Sequence, residues 1–294
     1  MSDRKGIILA GGSGSRLYPV TMAVSKSLLP IYNKPMIYYP LSVLMLSGVR
    51  DIAIITVPQD QHLFERVLED GSQWGIHLSY ISQPSPDGLA QAYILAEEYL
   101  AGSCSVMILG DNLYFGHSLP ELLNTISTSS TAATVFAYQV ADPQRYGVVE
   151  VRSDGQVKSL VEKPTQPESN LAVTGLYYLD ETASERAKQL NPSERGELEI
   201  TSLLQSYLDE DRLSVEILGR GIAWFDTGTH VSLLDAGNFV RTVETRQGLQ
   251  IGSPDEIAFD SGWIDDEAIE KRLKLFANNE YGRYLERVLR IRSG

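Results

Sequence analysis

The residues best equipped for chemistry stand early in the chain. Gly11, Gly12 and Gly14 lie in the run GIILAGGSGSRLYPVT, with Ser15 and Arg16 on the same turn and Lys26 in the SKSLLP that follows. Glycines let backbone N–H groups approach phosphate oxygens with no Cβ in the way, and the two cations add full positive charge. That combination is a way to hold a polyphosphate. Between Arg4 and Arg50 there are six cations (Arg4, Lys5, Arg16, Lys26, Lys34, Arg50) and no acid, in a protein of net charge −13. An acidic chain that gathers its cations beside its glycines is expected to bind an anionic ligand locally rather than a broad polyanion.

Two commoner phosphate loops are excluded by spacing. A Walker loop requires GxxxxGK[ST], yet Ser25 precedes Lys26 where the second glycine belongs. A dinucleotide fingerprint requires GxGxxG and an acid about 20 residues on. Here Gly12 and Gly14 are followed by Leu17, and no acid appears before Asp51.

The elements that must position this turn follow from the pattern around it. Strand GIILA, a helix from Pro35 to about Ser47, strand DIAIITV, a helix near Gln61 to Glu69, strand HLSYIS, a helix from Leu89 to Leu100 and strand SVMILGD alternate through the first half. Repeated βα units predict an α/β fold with a mostly parallel, Rossmann-like central sheet flanked by helices. Ligands in such sheets collect at the carboxyl ends of the strands, so Gly11–Arg16, Gln83–Gly88 and Asp111 are expected to converge on one crevice. The second half changes character. Asp154-Gly155 between alternating segments predicts a hairpin, further strands at LAVTGLYYL and LSVEILGRGIAWFD surround a helix at Glu197 to Leu208, and together they read as a substrate-side lobe. From Thr229 onward the pattern is largely helical, ending in an amphipathic tail.

At 294 residues, 43% hydrophobic and 21% charged, the chain suits one large α/β domain with an appendage or two domains, and is not a disordered or fibrous protein. Its net charge argues against nucleic acid or an anionic membrane as partner, since both need an extensive basic surface. The single Cys104 excludes an intramolecular disulfide and a cysteine-rich zinc site, and reads as a buried strand thiol. The opening MSDRKG has no apolar h-region and no run of about 18 apolar residues occurs, so the expected location is cytoplasmic.

The glycine turn with SKSLLP resembles the signature of the sugar-phosphate nucleotidylyltransferases. The resemblance continues through QPSPDGLAQA, LGDN, RYGVVE, EKP, VTGLYY, RGELEIT and AWFDTGTH, in order over nearly the full length. It implies transfer of a nucleotidyl group from dTTP to α-D-glucose 1-phosphate, giving dTDP-glucose and pyrophosphate, with a UTP-using sugar-1-phosphate uridylyltransferase or a non-catalytic sugar-nucleotide-binding regulator as the alternatives. It further implies a nucleotidyltransferase core at 1–243, with a nucleotide half at about 1–115 and a sugar-binding half at about 116–243, and a mainly helical segment at 244–294. Arg16 and Lys26 would grip the triphosphate, Lys163 and Arg195 would orient the sugar phosphate, and Asp111 and Asp226 would hold Mg²⁺. Gly11, Gly12, Gly14, Ser15, Gln83 and Gly88 would complete the nucleotide site. Asn112, Gly147, Glu162 and Val173 would contact the sugar, with Tyr146 and Trp224 lining the pocket. A homotetramer is implied as well. Two positions depart from the family pattern: Ser27 where glutamine is common, and Asp260 where a second nucleotide site used for feedback carries arginine. An anion there is expected to weaken feedback by a nucleoside diphosphate sugar.

Overall fold

The computed structural model describes residues 4–12, 14–129 and 131–293; Ser13 of the glycine turn lies outside the described residues. The strands are β1 (Lys5–Leu9), β2 (Pro30–Ile31), β3 (Lys34–Pro35), β4 (Asp51–Thr56), β5 (His77–Ser82), β6 (Ser105–Leu109), β7 (Asn112–Gly116), β8 (Ala133–Gln139), β9 (Gly147–Val151), β10 (Val157–Glu162), β11 (Leu171–Leu179), β12 (Leu213–Ile217) and β13 (Ile222–Asp226). The helices are α1 (Tyr38–Leu46), α2 (Gln61–Leu68), α3 (Gln91–Leu95), α4 (Glu97–Leu100), α5 (Leu119–Ser127), α6 (Ala183–Lys188), α7 (Ile200–Leu208), α8 (His230–Gln247), α9 (Pro254–Asp260), α10 (Asp266–Leu275) and α11 (Glu280–Ser293).

Apolar runs such as Ile7-Ile8 and Ile52–Ile55 are fully buried because helices cover both faces of the sheet they enter. Nine strands form that sheet in the order β10-β9-β11-β6-β1-β4-β5, with β8 on the other side of β11 and β12 beyond it. From β5 to β6 every pairing is parallel; β11 then runs antiparallel to β6, β8 and β9. The expected mostly parallel central sheet flanked by helices is borne out. Strand order reverses at β1, whose neighbours are β4 on one side and β6 on the other. This is the switch point where such sheets open a crevice.

Local chemistry explains most element boundaries. Asp154-Gly155 turns β9 into β10: Asp154 Oδ1 accepts from Gln156 N at 3.0 Å and Gly155 takes φ 88°. Thr229 and Ser232 cap α8 reciprocally, and Gly248 ends it at φ 69°. α1 is buried on nearly every side, from Tyr38 to Met45, and packs on both β7 and α9. The expected single helix from Leu89 to Leu100 is two short helices that break at Ala96, where ψ opens to 4°. Cys104 also departs from expectation. It precedes β6, is only half-buried, and its Sγ lies 3.5 Å from Glu181 Oε2. No described helix is long and apolar enough to cross a membrane.

Candidate active site

The site is assembled at the carboxyl ends of β1 and β6. Leu9 pairs with Leu109, and Gly110 N donates to Leu9 O at 2.9 Å, so the glycine turn and Asp111 leave the sheet side by side. Gly11 meets Gln83 from the end of β5 so closely that a Cβ on Gly11 would lie 1.8 Å from Gln83 Oε1. Gly88 has φ 114°, and its Cβ would lie 2.3 Å from Leu198 O, so only glycine lets this loop dock on the Arg195–Thr201 segment. Backbone bonds from Leu198 N to Asp87 O (2.7 Å) and from Ala90 N to Leu198 O (3.1 Å) fasten the two loops. Gly11 and Gln83 therefore meet, Asp111 leaves the sheet beside them, and Gly88 is fixed against Leu198. Gly12, Ser15 and Arg16 are exposed, and Arg16 makes no ion pair among the described residues.

Asp111 and Asp226 are 115 positions apart in sequence, and the pairing of β7 with β13 brings them together by setting Asp226 opposite Asn112. Asp111 forms an ion pair with Lys26 and its Oδ1 accepts from Asn112 Nδ2 at 2.8 Å. Burial opposes the Asp111 charge, but the Lys26 ammonium and these hydrogen bonds outweigh it and hold the carboxyl below its ordinary range. Asp226 is pushed upward, first by burial and then by the charge of Asp111; Gly228 N donates to it at 3.0 Å. Lys26 is taken up by Asp111, and Asp226 has no ion pair among the described residues. The hard oxygens of the two carboxylates suit a divalent ion that takes its remaining ligands from phosphate and water. Among the described residues no group of three or more His, Cys, Asp or Glu is placed to hold a metal ion, and Asp111 with Asp226 is the carboxylate pair that would contribute here.

A continuous run of contacts leads from here to Tyr146, Lys163 and Arg195. Asn112 Oδ1 accepts from Trp224 Nε1 at 2.6 Å and from Gly175 N at 3.3 Å; the Trp224 ring lies 5.3 Å from that of Tyr146; Tyr146 O accepts from Lys163 N at 3.0 Å. Lys163 holds φ 42°, a left-handed conformation costly for a side chain with a Cβ. Its ammonium lies 3.0 Å from Glu162 Oε1, which Arg195 Nη1 also approaches at 3.5 Å. A Cβ on Gly147 would lie 2.9 Å from Thr201 Cγ2 and 3.9 Å from Val173 Cβ, so this wall is close-packed.

The charge count near the amino terminus misleads in part, and the correction is specific. Of the six cations only Arg16 and Lys26 stand at the glycine turn. Arg4 donates to Ser127 O and Leu179 O at 3.3 Å, Lys5 to Tyr99 O at 2.5 Å and Arg50 to Gly75 O at 2.8 Å, while Lys34 is buried against Glu244 at 2.8 Å. They fasten the fold. Sequence reasoning also passed over Glu199 and Thr201. Glu199 lies 3.5 Å from Arg195, and Thr201 Oγ1 donates to Glu162 Oε2 at 3.3 Å. Both stand in RGELEIT, and the i,i+4 spacing of Arg195 and Glu199 was the available signal.

Away from the crevice, a cavity of about 260 Å³ between α1, β7 and α9 is lined by Gly116, Glu256 and Asp260 and by no lysine or arginine. Burial and the charge of Asp260 raise the Glu256 carboxyl to about 7. Ser27 is buried, with its Oγ against Gly110.

The sequence profile of the family described as Nucleotidyl transferase matches residues 5–243. The chain is 56% identical over 285 residues to a glucose-1-phosphate thymidylyltransferase of Xanthomonas campestris pv. campestris, covering 97% of each. Among solved structures, one described as a "Putative Glucose-1-Phosphate Thymidylyltransferase" from Bacillus anthracis in complex with a sucrose superposes with TM-score 0.75 at 38% identity, covering 81% of this chain and 95% of that one. A UDP-glucose pyrophosphorylase complexed with UDP-glucose gives TM-score 0.73 at 26% identity, covering 81% and 98%. With its switch-point crevice, its paired carboxylates and this similarity over nearly its whole length, the chain belongs to the nucleotidyl transferase family.

Proposed function

We propose that the chain transfers a thymidylyl group from dTTP to α-D-glucose 1-phosphate, releasing pyrophosphate and forming dTDP-glucose. The carrying observation is the Lys26–Asp111 pair beside Asp226 at the carboxyl ends of β1 and β6, where a triphosphate and a second phosphate can meet. A sugar-phosphate oxygen forms the new bond to the α-phosphorus of dTTP while the bond from that phosphorus to the bridging oxygen of pyrophosphate breaks. The attacking oxygen is already anionic near neutral pH, so no general base is needed. The task is alignment and charge compensation. Two unit charges about 4 Å apart repel by roughly 4 kcal/mol at an effective dielectric near 20, so a few fixed cations offset the approach of the two anions.

Each residue has a place in that task. Gly11, Gly12, Gly14 and Ser15 offer backbone N–H groups to the triphosphate, and exposed Arg16 accompanies departing pyrophosphate. Lys26, the partner of Asp111, faces the α-phosphate. Lys163 and Arg195 hold the sugar phosphate, with Glu162, Gly147, Val173, Asn112, Tyr146 and Trp224 around the sugar. Gln83 and Gly88 meet the base. Asp111 and Asp226 would hold Mg²⁺, which when bound neutralises charge on the reacting phosphates.

The division into a core at 1–243 and a helical segment at 244–294 belongs to the same proposal. The extent of the family match supports it, as does a separate apolar cluster of Phe259, Ile269, Tyr284, Leu285 and Val288. A homotetrameric, cytoplasmic enzyme that supplies dTDP-rhamnose or another deoxysugar pathway is the corresponding biological setting.

Pyrophosphate release measured across nucleoside triphosphates and hexose 1-phosphates tests the reading. The highest kcat/KM is expected for dTTP with glucose 1-phosphate, with UTP, which lacks the 5-methyl group and carries a 2′-hydroxyl, lower by at least about tenfold. Equal or better use of UTP would replace the proposal with a uridylyltransferase.

A further inference from the structure

Gln83 carries an amide, and an amide reads a base in either of two orientations. Turned one way it accepts from the N3–H of thymine or uracil and donates to a neighbouring carbonyl; turned the other way it donates to the bare N3 of cytosine and accepts from its amino group. A free glutamine therefore does not separate thymine from cytosine. In this chain the amide is not free. Gln83 Nε2 donates to Gln91 Oε1 at 2.7 Å, Gln91 Oε1 also accepts from Asp87 N at 3.2 Å, and Gln91 Nε2 donates to Asp87 Oδ2 at 2.9 Å.

We infer that Asp87 and Gln91 are positioning residues that fix the polarity of Gln83 and so make the site selective for thymine and uracil over cytosine. An ionised Asp87 only accepts, so Gln91 must turn its NH₂ toward it. The carbonyl oxygen of Gln91 is then left toward the Asp87 N–H, a donor that cannot rotate. Gln83 in turn must present its NH₂ to that oxygen. What remains for a ligand is the Gln83 Oε1, which lies against Gly11 and accepts no hydrogen bond among the described residues, together with the second Nε2 hydrogen. That pattern complements the N3–H and carbonyl of thymine and opposes the N3 lone pair of cytosine. Gln83 is 2% exposed, so water cannot compensate a mismatch. Asp87 is itself held by Ser85 Oγ at 2.5 Å and by the Leu198 N to Asp87 O bond at 2.7 Å, which keeps the start of the relay in place.

The inference rests on the proposed role of Gln83 as base reader, and the test separates the two. The ratio of kcat/KM for dTTP over dCTP and the ratio for dTTP over dUTP are measured in wild type, Gln83→Ala, Gln91→Leu and Asp87→Asn. Leucine removes the relay. Asparagine keeps the shape but lets the Gln91 amide turn, against the one remaining preference of the Asp87 N–H. The dTTP:dCTP ratio is expected to fall roughly ten- to a hundredfold in Gln91→Leu, the equivalent of one unpaired buried polar group, and by less in exposed Asp87→Asn. The dTTP:dUTP ratio, which reports only the methyl group, is expected to stay within about twofold, whereas a merely structural defect would lower all three substrates together. If Gln83→Ala leaves the dTTP:dCTP ratio at its wild-type value, the reader role of Gln83 is overturned and the relay with it. If Gln83→Ala collapses the ratio but Gln91→Leu and Asp87→Asn do not, the reader stands and the relay is overturned.

Discussion

Lys163→Gly is expected to leave the protein at least as stable as wild type while lowering kcat/KM for glucose 1-phosphate by about 10²- to 10³-fold, the scale of losing one charge-stabilising group at a phosphate. The two effects have separate causes. At φ 42° the Lys163 backbone is strained for any residue with a Cβ, and its N–H is tied to Tyr146 O at 3.0 Å, so the turn that carries it is fixed by its surroundings. Glycine relieves the strain, and its greater freedom in the unfolded chain takes back part of the gain, which leaves a net change between zero and about 1 kcal/mol in favour of folding. The lost ammonium is felt only where the second substrate binds, so the dissociation constant for dTTP should not move. Lys163→Ala should lose the same activity without the relief. Thermal unfolding together with steady-state kinetics decides the point: a variant destabilised by 2 kcal/mol, or one that keeps wild-type kcat/KM, contradicts the assignment.

The second large effect concerns the Lys26–Asp111 pair, whose side chains are 18% and 20% exposed. Lys26→Met leaves the Asp111 carboxylate buried beside Asp226 with no cation, and should destabilise the fold by about 3 kcal/mol. Asp111→Asn leaves the more adaptable ammonium behind and should have a smaller effect. In the double variant the uncompensated Asp111 charge is gone, so more than half of the Lys26→Met loss should return, an interaction energy of about 2 to 3 kcal/mol. Activity should not return with it. All three variants are expected to fall at least about 10³-fold in kcat, because stability depends on the pair being matched and transfer on both charges being present. Additive stabilities would show that the pair is not coupled, and an active double variant would remove both residues from the chemistry.

The crevice was readable from sequence because strand ends obey a topological rule. Once GIILA, DIAIITV, HLSYIS and SVMILGD are parallel strands, Gly11, Gln83 and Asp111 have to meet. Asp226 was not readable that way. Nothing in its spacing links it to Asp111; only the β7–β13 pairing does, and the resemblance to a family supplied what periodicity did not. The cation count between Arg4 and Arg50 failed for a different reason. A count of charges cannot see that Arg4, Lys5 and Arg50 would be taken up by backbone carbonyls or Lys34 by Glu244, partners contributed by distant segments. Gln91 and Asp87 sat inside a quoted motif, QPSPDGLAQA, yet a hydrogen-bond relay among three side chains appears only when their distances do.

The claim on which the rest depends is that Asp111 and Asp226 would hold a divalent ion, which would supply positive charge to the phosphates at this crevice. The most direct measurement is the rate of pyrophosphate release from dTTP and glucose 1-phosphate as free Mg²⁺ is titrated, for wild type and for Asp226→Asn. Wild type should be silent in chelator and rise to saturation, and Asp226→Asn should require at least about tenfold more Mg²⁺ and level off lower, as expected when one of two carboxylate ligands loses its charge. Full wild-type turnover in chelator, or two titration curves that superimpose, would contradict it.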